Sequence, residues 1–255
     1  PAPPQKRKGK PNDEPHPEII HRRGSKRDIV INPAPGRRLV WHRRARAAIT
    51  ASAALIEAAI AVGADTVLVH HGYFWKNEDP RVIGMKKSRL ARLLAHDINL
   101  IAYHLPLDAH PVLGNNAQLA AVLGLQVHGQ TGEQNLLWYG ELPEAISLDA
   151  WRQQAGDCLQ RTPLTLGNPQ ALIRRVAWCT GRAQGMFADA VALGVDLFIT
   201  GEASEPCAHI AAETGVAFAA AGHHATERYG VRAVGQHLAD TLGIDVVWID
   251  RDNPV

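Results

Sequence analysis

Beyond residue 50, short runs of apolar residues alternate along the chain with longer stretches that have the apolar spacing of helices. The apolar runs include T-V-L-V at 66–69, N-L-I-A-Y at 99–103 and D-V-V-W-I-D at 245–250. A short, continuous apolar run is typical of a strand that is buried on both faces, and strands separated by helices are typical of parallel sheets. The alternation therefore predicts an α/β fold.

Two segments of this region resemble each other. E-A-A-I-A-V-G-A-D-T-V-L-V-H-H-G at 57–72 aligns with A-D-A-V-A-L-G-V-D-L-F-I-T-G-E at 188–202, and each contains a helix, a glycine, an aspartate and a buried strand that ends in polar residues. A helix–glycine–strand join is common, so the similarity is either coincidental or the trace of two related α/β lobes. We predict lobes at about 50–125 and 172–255, joined by a connecting region at 126–171. Polar groups at the carboxyl ends of strands usually form the site in such sheets.

Residues 1–49 differ from this body in composition. Residues 1–47 carry 13 Lys and Arg against 4 Asp and Glu, and they hold 8 of the 16 prolines. Such a basic, Pro-rich stretch is typical of disorder. We interpret it as a solvated tail rather than an arm that binds nucleic acid, for which the sequence offers no further support.

Cysteine usage and hydropathy indicate the compartment. The chain has 3 cysteines, which are far apart in sequence, odd in number and without a CxxC pair, so they suit a reducing environment. The sequence shows no apolar stretch long enough to span a membrane, and its first ten residues lack the apolar core of a secretory signal. We expect a cytoplasmic protein that does not insert into membranes.

Histidines and carboxylates cluster where the predicted strands end. His70 and His71 follow the strand at 66–69, and further polar groups occur at comparable places, namely His104, Asp108, His110, Glu202, His223, His224 and Glu227. Imidazole and carboxylate without thiolate suit zinc, iron, manganese or cobalt. The alternative is a set of buried, hydrogen-bonded histidines.

The spacing leaves the ligand set open. In a helix that starts near residue 223, His223 and Glu227 share a face at i,i+4, while His224 and Glu227 compete with them at i,i+3. His70 and His71 could each bind a different ion of a pair about 3.5–4 Å apart. The carboxylates of Asp108 and Glu227 could bridge or cap that pair, because each has two oxygens.

Five motifs carry a resemblance to a known family. V-H-H-G-Y-F-W-K, H-L-P-L-D-A-H-P-x-L-G-N-N-A-Q-L-A, V-A-W-C-T-G, F-I-T-G-E and A-G-H-H-A-T-E-R resemble the YbgI-like dinuclear metal-centre family, the GTP cyclohydrolase 1 type 2 homologues, over about residues 50–255. The resemblance implies two α/β lobes with a two-metal site between them and a ring-shaped homohexamer. It also implies five metal ligands, which are His70, His71, Asp108, His223 and Glu227.

The start of the chain departs from the family pattern. R-R-L-V-W-H-R-R-A-R-A-A stands where the family has an apolar strand, and residues 1–47 show none of the family's opening helix. A frameshifted or misassigned start explains this abrupt change better than a new arm does. In that case we expect an inner strand to be missing or badly replaced.

The function that the resemblance implies is hydrolysis at two divalent metal ions, with GTP cyclohydrolase-like ring opening of a purine nucleotide as the specific form. His104, Glu202 and His224 would then be available for proton transfer, or would orient the ligands and water. No Walker loop or Gly-rich phosphate cradle supports nucleotide binding. The alternatives are a non-catalytic, metal-binding hexameric scaffold or metal-handling protein, and an iron-dependent oxidase.

Overall fold

The computed structural model describes residues 29–31, 44–251 and 253–255. Over these residues the chain forms two mixed sheets and eight α-helices, which confirms the predicted α/β architecture. Each sheet has helices packed on both faces, so both sheets are buried as parallel strands require.

The first sheet has five strands in the order β1-β4-β3-β2-β11. They are β1 Ile29–Ile31, β2 Arg44–Thr50, β3 Thr66–His71, β4 Asn99–Ala102 and β11 Asp245–Trp248. The strands β11, β2, β3 and β4 are parallel, and β1 pairs antiparallel with β4. Helices cover its two faces, namely α1 Ala53–Ala61 and α2 Gly84–Ala95 on one, and α3 Leu105–Ala109 and α8 His223–Leu242 on the other.

The second sheet has six strands in the order β5-β6-β8-β9-β10-β7. They are β5 Gln126–Thr131, β6 Leu137–Ser147, β7 Leu164–Leu166, β8 Leu172–Trp178, β9 Leu197–Thr200 and β10 Ala217–Ala220. One face packs on α4 Asn115–Leu123 and α5 Leu148–Leu159, and the other on α6 Phe187–Ala192 and α7 Glu205–Thr214. Short 3-10 turns lie at Glu133–Asn135 and Gln184–Met186.

The two similar segments occupy equivalent places in the two sheets. In each, a helix is followed by a glycine in the left-handed backbone conformation, Gly63 at φ 62° and Gly194 at φ 69°. Glycine adopts this conformation at little cost because it has no Cβ. The backbone N–H of Asp65 then donates to the backbone carbonyl of Arg44 at 3.2 Å, and that of Asp196 donates to the backbone carbonyl of Arg175 at 2.8 Å. Each following strand is the middle one of three parallel strands, β2-β3-β4 or β8-β9-β10. These correspondences support two related lobes.

The two sheets divide the chain differently from the predicted lobes. The region 126–171, predicted to be a connector, supplies three strands of the second sheet, and β11 returns from the predicted second lobe to the first sheet. The strands of 126–171 were missed because they are not continuous apolar runs. In Q-V-H-G-Q-T of β5, for example, every side chain is exposed or only partly buried.

An inner strand, which a frameshifted start would leave missing or badly replaced, is present at this place in the first sheet. The strand β2 lies between β3 and β11, and its side chains from Ala45 to Ile49 are buried. Ala45 and Ala47 pack against α8, and the Arg46 guanidinium donates to the Ala45 carbonyl at 3.0 Å. The sheet context thus overrides a weak strand propensity. The predicted boundary at 49/50 therefore falls inside the sheet, whereas residues 1–28 and 32–43 lie outside the described residues, so their predicted disorder or misassignment stays a prediction.

The predicted compartment rests on the cysteines and on the expectation that no segment spans a membrane. Cys158 is exposed, while Cys179 and Cys207 are buried, and all three are free thiols. Among the described helices, none combines the length and the apolar composition needed to cross a membrane.

Candidate metal centre

His70 and His71 end β3 on opposite faces of the first sheet and yet serve one cluster. His70 shares the face of Leu68, which α3 and α8 cover, and it is fully buried. Its Nδ1 contacts the Tyr103 carbonyl oxygen at 2.8 Å, so Nε2 faces the cluster. The partly buried His71 has Nδ1 at 3.3 Å from Thr50 Oγ1, and the two imidazole centroids lie 4.6 Å apart. Both rings therefore present Nε2 to the same space.

Glu227, one turn into α8, is where these rings converge. Its Oε2 lies 3.0 Å from Nε2 of His223, 3.1 Å from Nε2 of His71 and 3.6 Å from Nε2 of His70. This oxygen is buried, and within the described chain no hydrogen bond satisfies it. A buried carboxylate oxygen that three imidazole nitrogens surround is a site that a cation would satisfy. The donor set thus fits a metal ion.

Asp108 approaches His70 from α3. Its Oδ1 lies 3.4 Å from His70 Nε2, and it accepts hydrogen bonds from Asn115 Nδ2 at 2.8 Å and Thr180 Oγ1 at 3.3 Å. Asn115 also accepts from the backbone N–H of Gly230 at 2.9 Å. One amide side chain therefore ties the Asp108 carboxylate to α8.

His223, the first residue of α8, is oriented by a carboxylate behind it. Its Nδ1 lies 2.7 Å from Oε1 of Glu202, which leaves Nε2 directed to the cluster. Such a carboxylate–histidine pair is the usual support of a metal-binding imidazole. His224 instead has Nε2 at 3.1 Å from Asp250 Oδ1. The geometry thus favours the i,i+4 pair of His223 and Glu227 over the i,i+3 alternative.

Within the described part of the chain, the ligand atoms fall into three groups, in each of which all atoms lie within 4.8 Å of one another. Two of these groups share Glu227, one with His70 and Asp108 and the other with His71 and His223. The third group joins His104 to His70 and His71. The five predicted ligands could therefore hold metal ions in two adjacent groups, and His104 lies within reach of both neighbouring histidines.

Charge and burial oppose each other at this cluster. Burial by itself would lower the pKa of His70, but the carboxylates of Asp108 and Glu227 raise it to about 9. Burial likewise works against the charge of His223, and Glu227 with Glu202 raises its pKa to about 9. Burial raises the pKa of Asp108 to about 6, whereas the histidines outweigh burial at Glu227 and hold its pKa well below the usual range. In the metal-free protein at neutral pH, two imidazoles therefore carry protons.

We expect metal affinity to rise with pH because those protons must leave. A metal ligand needs an unprotonated imidazole, and the folded-state pKa values of His70 and His223 are raised to about 9. Each displaced proton makes the apparent metal affinity rise about tenfold per pH unit below that pKa. With two protons displaced, the affinity should rise up to about 100-fold from pH 7 to 8 and level off above pH 9. Calorimetric titration with Zn²⁺ in buffers of different ionisation heats measures the released protons. Equal affinity and no proton release at pH 7 and 8 would contradict this coupling.

Two cavities open beside the cluster. The larger, about 290 Å³, is lined by thirteen residues that include His104, Asp108, His223 and Glu227. The smaller, about 160 Å³, is lined in part by His71, His223 and His224. His223 lines both cavities, so small molecules can approach this imidazole from either one.

The structure separates the remaining candidates. His104 caps α3 and lines the larger cavity, Glu202 contacts His223, and His224 lines only the smaller of the two cavities. His110 belongs to none of the metal-binding groups found among the described residues, and its Nδ1 accepts from the backbone N–H groups of Val112 and Leu113 at 3.2 and 3.0 Å. The roles assigned to His104, Glu202 and His224 stay predictions.

Two residues of the site were missed. Asn115 and Thr180 both donate to Asp108. Thr180 stands in V-A-W-C-T-G directly after a buried strand, so the strand-end argument that identified His70 would have found it. Asn115 had no such signal, since it begins a helix and its second partner, Gly230, is 115 residues away in sequence.

Comparison with known proteins gives a consistent result. Residues 42–254 match the family model Duf34/NIF3 (NGG1p interacting factor 3). A GTP cyclohydrolase 1 type 2 homolog of Neisseria meningitidis serogroup B is 56% identical over 206 residues, which are 81% of this chain and 83% of that protein. The Escherichia coli K12 protein of the same name is 51% identical over 210 residues, with the same coverage of 81% and 83%.

Solved structures agree with the sequence comparisons. The structure of protein ybgI, described as of unknown function, superposes with a TM-score of 0.80 at 49% identity and covers 84% of this chain and 85% of its own. The structure of a Thermus thermophilus protein, TTHA1606, has a TM-score of 0.74 at 31% identity, with coverage of 84% and 85%.

Proposed function

The chain belongs to the Duf34/NIF3 family, and on that premise we propose that it is a hydrolase that depends on two divalent metal ions. The observation that carries the proposal is the pair of ligand groups that share Glu227 beside a cavity of about 290 Å³. His70 and Asp108 would complete one ion site, and His71 and His223 the other. Zinc, iron, manganese and cobalt all suit imidazole and carboxylate donors.

Two close divalent ions supply an activated water at neutral pH and polarise the group under attack. The protein's own residues then orient the ligands and move protons. Glu202 holds His223 through Nδ1 at 2.7 Å, and Asn115 with Thr180 holds Asp108. Of the three proposed proton carriers, His104 alone lines the larger cavity, so we assign it the proton transfer there. His224 would serve only from the smaller cavity.

A purine nucleotide is the substrate class we propose, by analogy with the name of the relatives. Supporting it, one wall of the larger cavity is apolar, formed by Leu105, Leu136, Ala183 and Met186, and suits a planar ring. The volume of about 290 Å³ lies just below the usual range for ligand pockets, about 300–1,000 Å³, and suits a small molecule. Ring opening of GTP by water is the reaction to test first.

The test is a turnover screen at defined metal content. Protein stripped of metal and reloaded separately with Zn²⁺, Mn²⁺, Co²⁺ or Fe²⁺ would be assayed against GTP and a panel of phosphoesters. Hydrolysis that tracks bound metal supports the proposal, and no hydrolysis at full loading contradicts it. Stable loading without turnover would favour the metal-binding scaffold, and dioxygen consumption only with Fe²⁺ would favour the oxidase.

We expect the purified protein to bind two divalent ions per chain. The five ligand residues divide into two groups around Glu227, and a shared carboxylate allows two dications to lie close together. Elemental analysis against protein concentration measures the ratio. A maximum near one ion per chain after reloading would contradict the two-ion site.

The ring-shaped homohexamer and the cytoplasmic location stay predictions. Light scattering at micromolar concentration should give six times the mass of the 27.7 kDa chain. A monomer under those conditions would contradict the hexamer.

A further inference from the structure

The larger cavity has a single arginine at its edge, among the lining residues in the described part of the chain. We propose that Arg182 recognises a phosphoryl group of the ligand, so that the site selects phosphorylated compounds over their neutral forms. This inference rests on the proposed function, because it assigns the substrate class of the same cavity. Arg182 was not among the residues that the sequence pointed to.

Arg182 directly follows Gly181, whose backbone lies against the proposed metal ligands Glu227 and His223. A β-carbon at Gly181 would overlap the Glu227 carboxylate and lie 3.2 Å from His223 Nε2, so the chain passes directly against both ligands. Thr200 Oγ1 donates to the Gly181 carbonyl at 3.0 Å and accepts from the backbone N–H of Ala183 at 3.2 Å. The backbone is therefore held on both sides of Arg182.

The Arg182 side chain, in contrast, is loosely held. It is 76% exposed, and the one ion pair that the structure shows for it joins Nε to Glu202 Oε2 at 3.7 Å. An exposed pair of this length contributes little to stability, so its guanidinium can turn to a ligand at small cost. A fixed backbone with a free cationic end is suited to binding a charged group that arrives with the ligand.

The charges around the cavity make Arg182 distinctive. Three carboxylates, those of Asp108, Glu133 and Glu227, line the cavity, and Arg182 is the one lysine or arginine among the lining residues in the described chain. A guanidinium presents a planar set of donors that matches phosphate oxygens. A phosphoryl group that leaves the cavity at this edge therefore meets the guanidinium, while the other ionisable groups among the lining residues of the described chain are three carboxylates, the Cys179 thiol and the imidazoles of His104 and His223.

The turn at Glu133–Asn135 that borders the cavity is strained. Gln134, which lines the cavity, and its neighbour Asn135 both have φ 57°, in the left-handed region that costs energy for residues other than glycine. Such outliers cluster where a ligand is held. An apolar wall, a strained turn and one arginine together fit a ligand with a planar body and an anionic tail.

The test compares GTP with guanosine by calorimetry on metal-loaded protein without free metal in the buffer. The parent protein should bind GTP more tightly than guanosine. Arg182→Gln should weaken GTP binding about tenfold and leave guanosine binding unchanged, because it removes one charge-assisted contact. Arg182→Lys, which keeps the charge without the planar donor set, should lie between the two. The control is Arg174→Gln, an exposed arginine in the first half of β8 that pairs with Glu141.

Each outcome decides the matter. A parent protein that binds neither compound, or an Arg182→Gln variant that loses both equally or neither, overturns the proposal. Metal content is measured in every variant, so a lost ion is not mistaken for a lost contact. Turnover is measured separately. Binding that depends on Arg182 without any hydrolysis would preserve this assignment and remove the hydrolase.

Discussion

Replacing Glu227 with glutamine is expected to empty both metal positions. The Oε2 atom of Glu227 lies within 3.0–3.6 Å of three imidazole nitrogens, and the residue belongs to both ligand groups. Glutamine keeps the size of the side chain but removes the negative charge that lies between two dications. Repulsion between two such ions a few Å apart is then left without its central anion. Bound metal should fall from about two ions per chain to well below one, and turnover should fall with it.

The matched control for this change is Glu202→Gln. It makes the same chemical substitution at a carboxylate that contacts His223 Nδ1 at 2.7 Å rather than the cluster centre. It should retain both ions, with metal affinity or turnover lower by roughly 10–100-fold, as for other supports of metal ligands. Far-UV circular dichroism checks that both variants are folded. If folded Glu227→Gln protein keeps two ions while Glu202→Gln loses them, the central role of Glu227 is refuted.

Asp108→Asn is expected to release one ion, while the ion held by His71, His223 and Glu227 remains. Asp108 belongs only to the group with His70 and Glu227. Asparagine keeps one oxygen and nearly the same shape, so the substitution tests charge rather than packing. Elemental analysis should give about one ion per chain, and hydrolysis that needs both ions should be lost.

His104→Ala is the comparison for Asp108→Asn. We expect it to keep both ions and to lower turnover by roughly 10–100-fold, as for a residue outside the ligand set. The structure makes this a demanding test, since His104 lies within 4.8 Å of ligand atoms of His70 and His71. Loss of metal from His104→Ala, with both ions retained in Asp108→Asn, would exchange the roles assigned to these two residues.

The parts of the site that local sequence could predict are those set by strand ends and helical spacing. His70 and His71 follow an apolar run, and His223 and Glu227 are one helical turn apart, so both pairs are visible within a few residues. What spacing left open was which histidine of 223–224 faces the cluster. The answer depends on Glu202 and Asp250, which come from other segments and turn the two rings in different directions.

The parts that escaped prediction depend on contacts between distant segments. Strand β5 is polar because much of it is exposed, so its sequence lacks an apolar run. Strand β2 begins with alternating arginine and alanine, which looks unlike a core strand, yet neighbours on both sides provide its hydrogen bonds. Asn115 joins Asp108 to α8, a relation that exists only in the folded chain. Family resemblance supplied the ligand set, which spacing alone left incomplete.

The return of β11 to the first sheet sets the order of events during synthesis. His70 and His71 leave the ribosome early, whereas Glu227 and the edge strand Asp245–Trp248 follow only after the whole second sheet. The nascent chain thus carries two neighbouring imidazoles without the carboxylate that joins the two ligand groups. Contacts of such high sequence separation form slowly, because a long loop must close first. The two ligand groups that share Glu227 are therefore completed only after every strand of the second sheet has been synthesised.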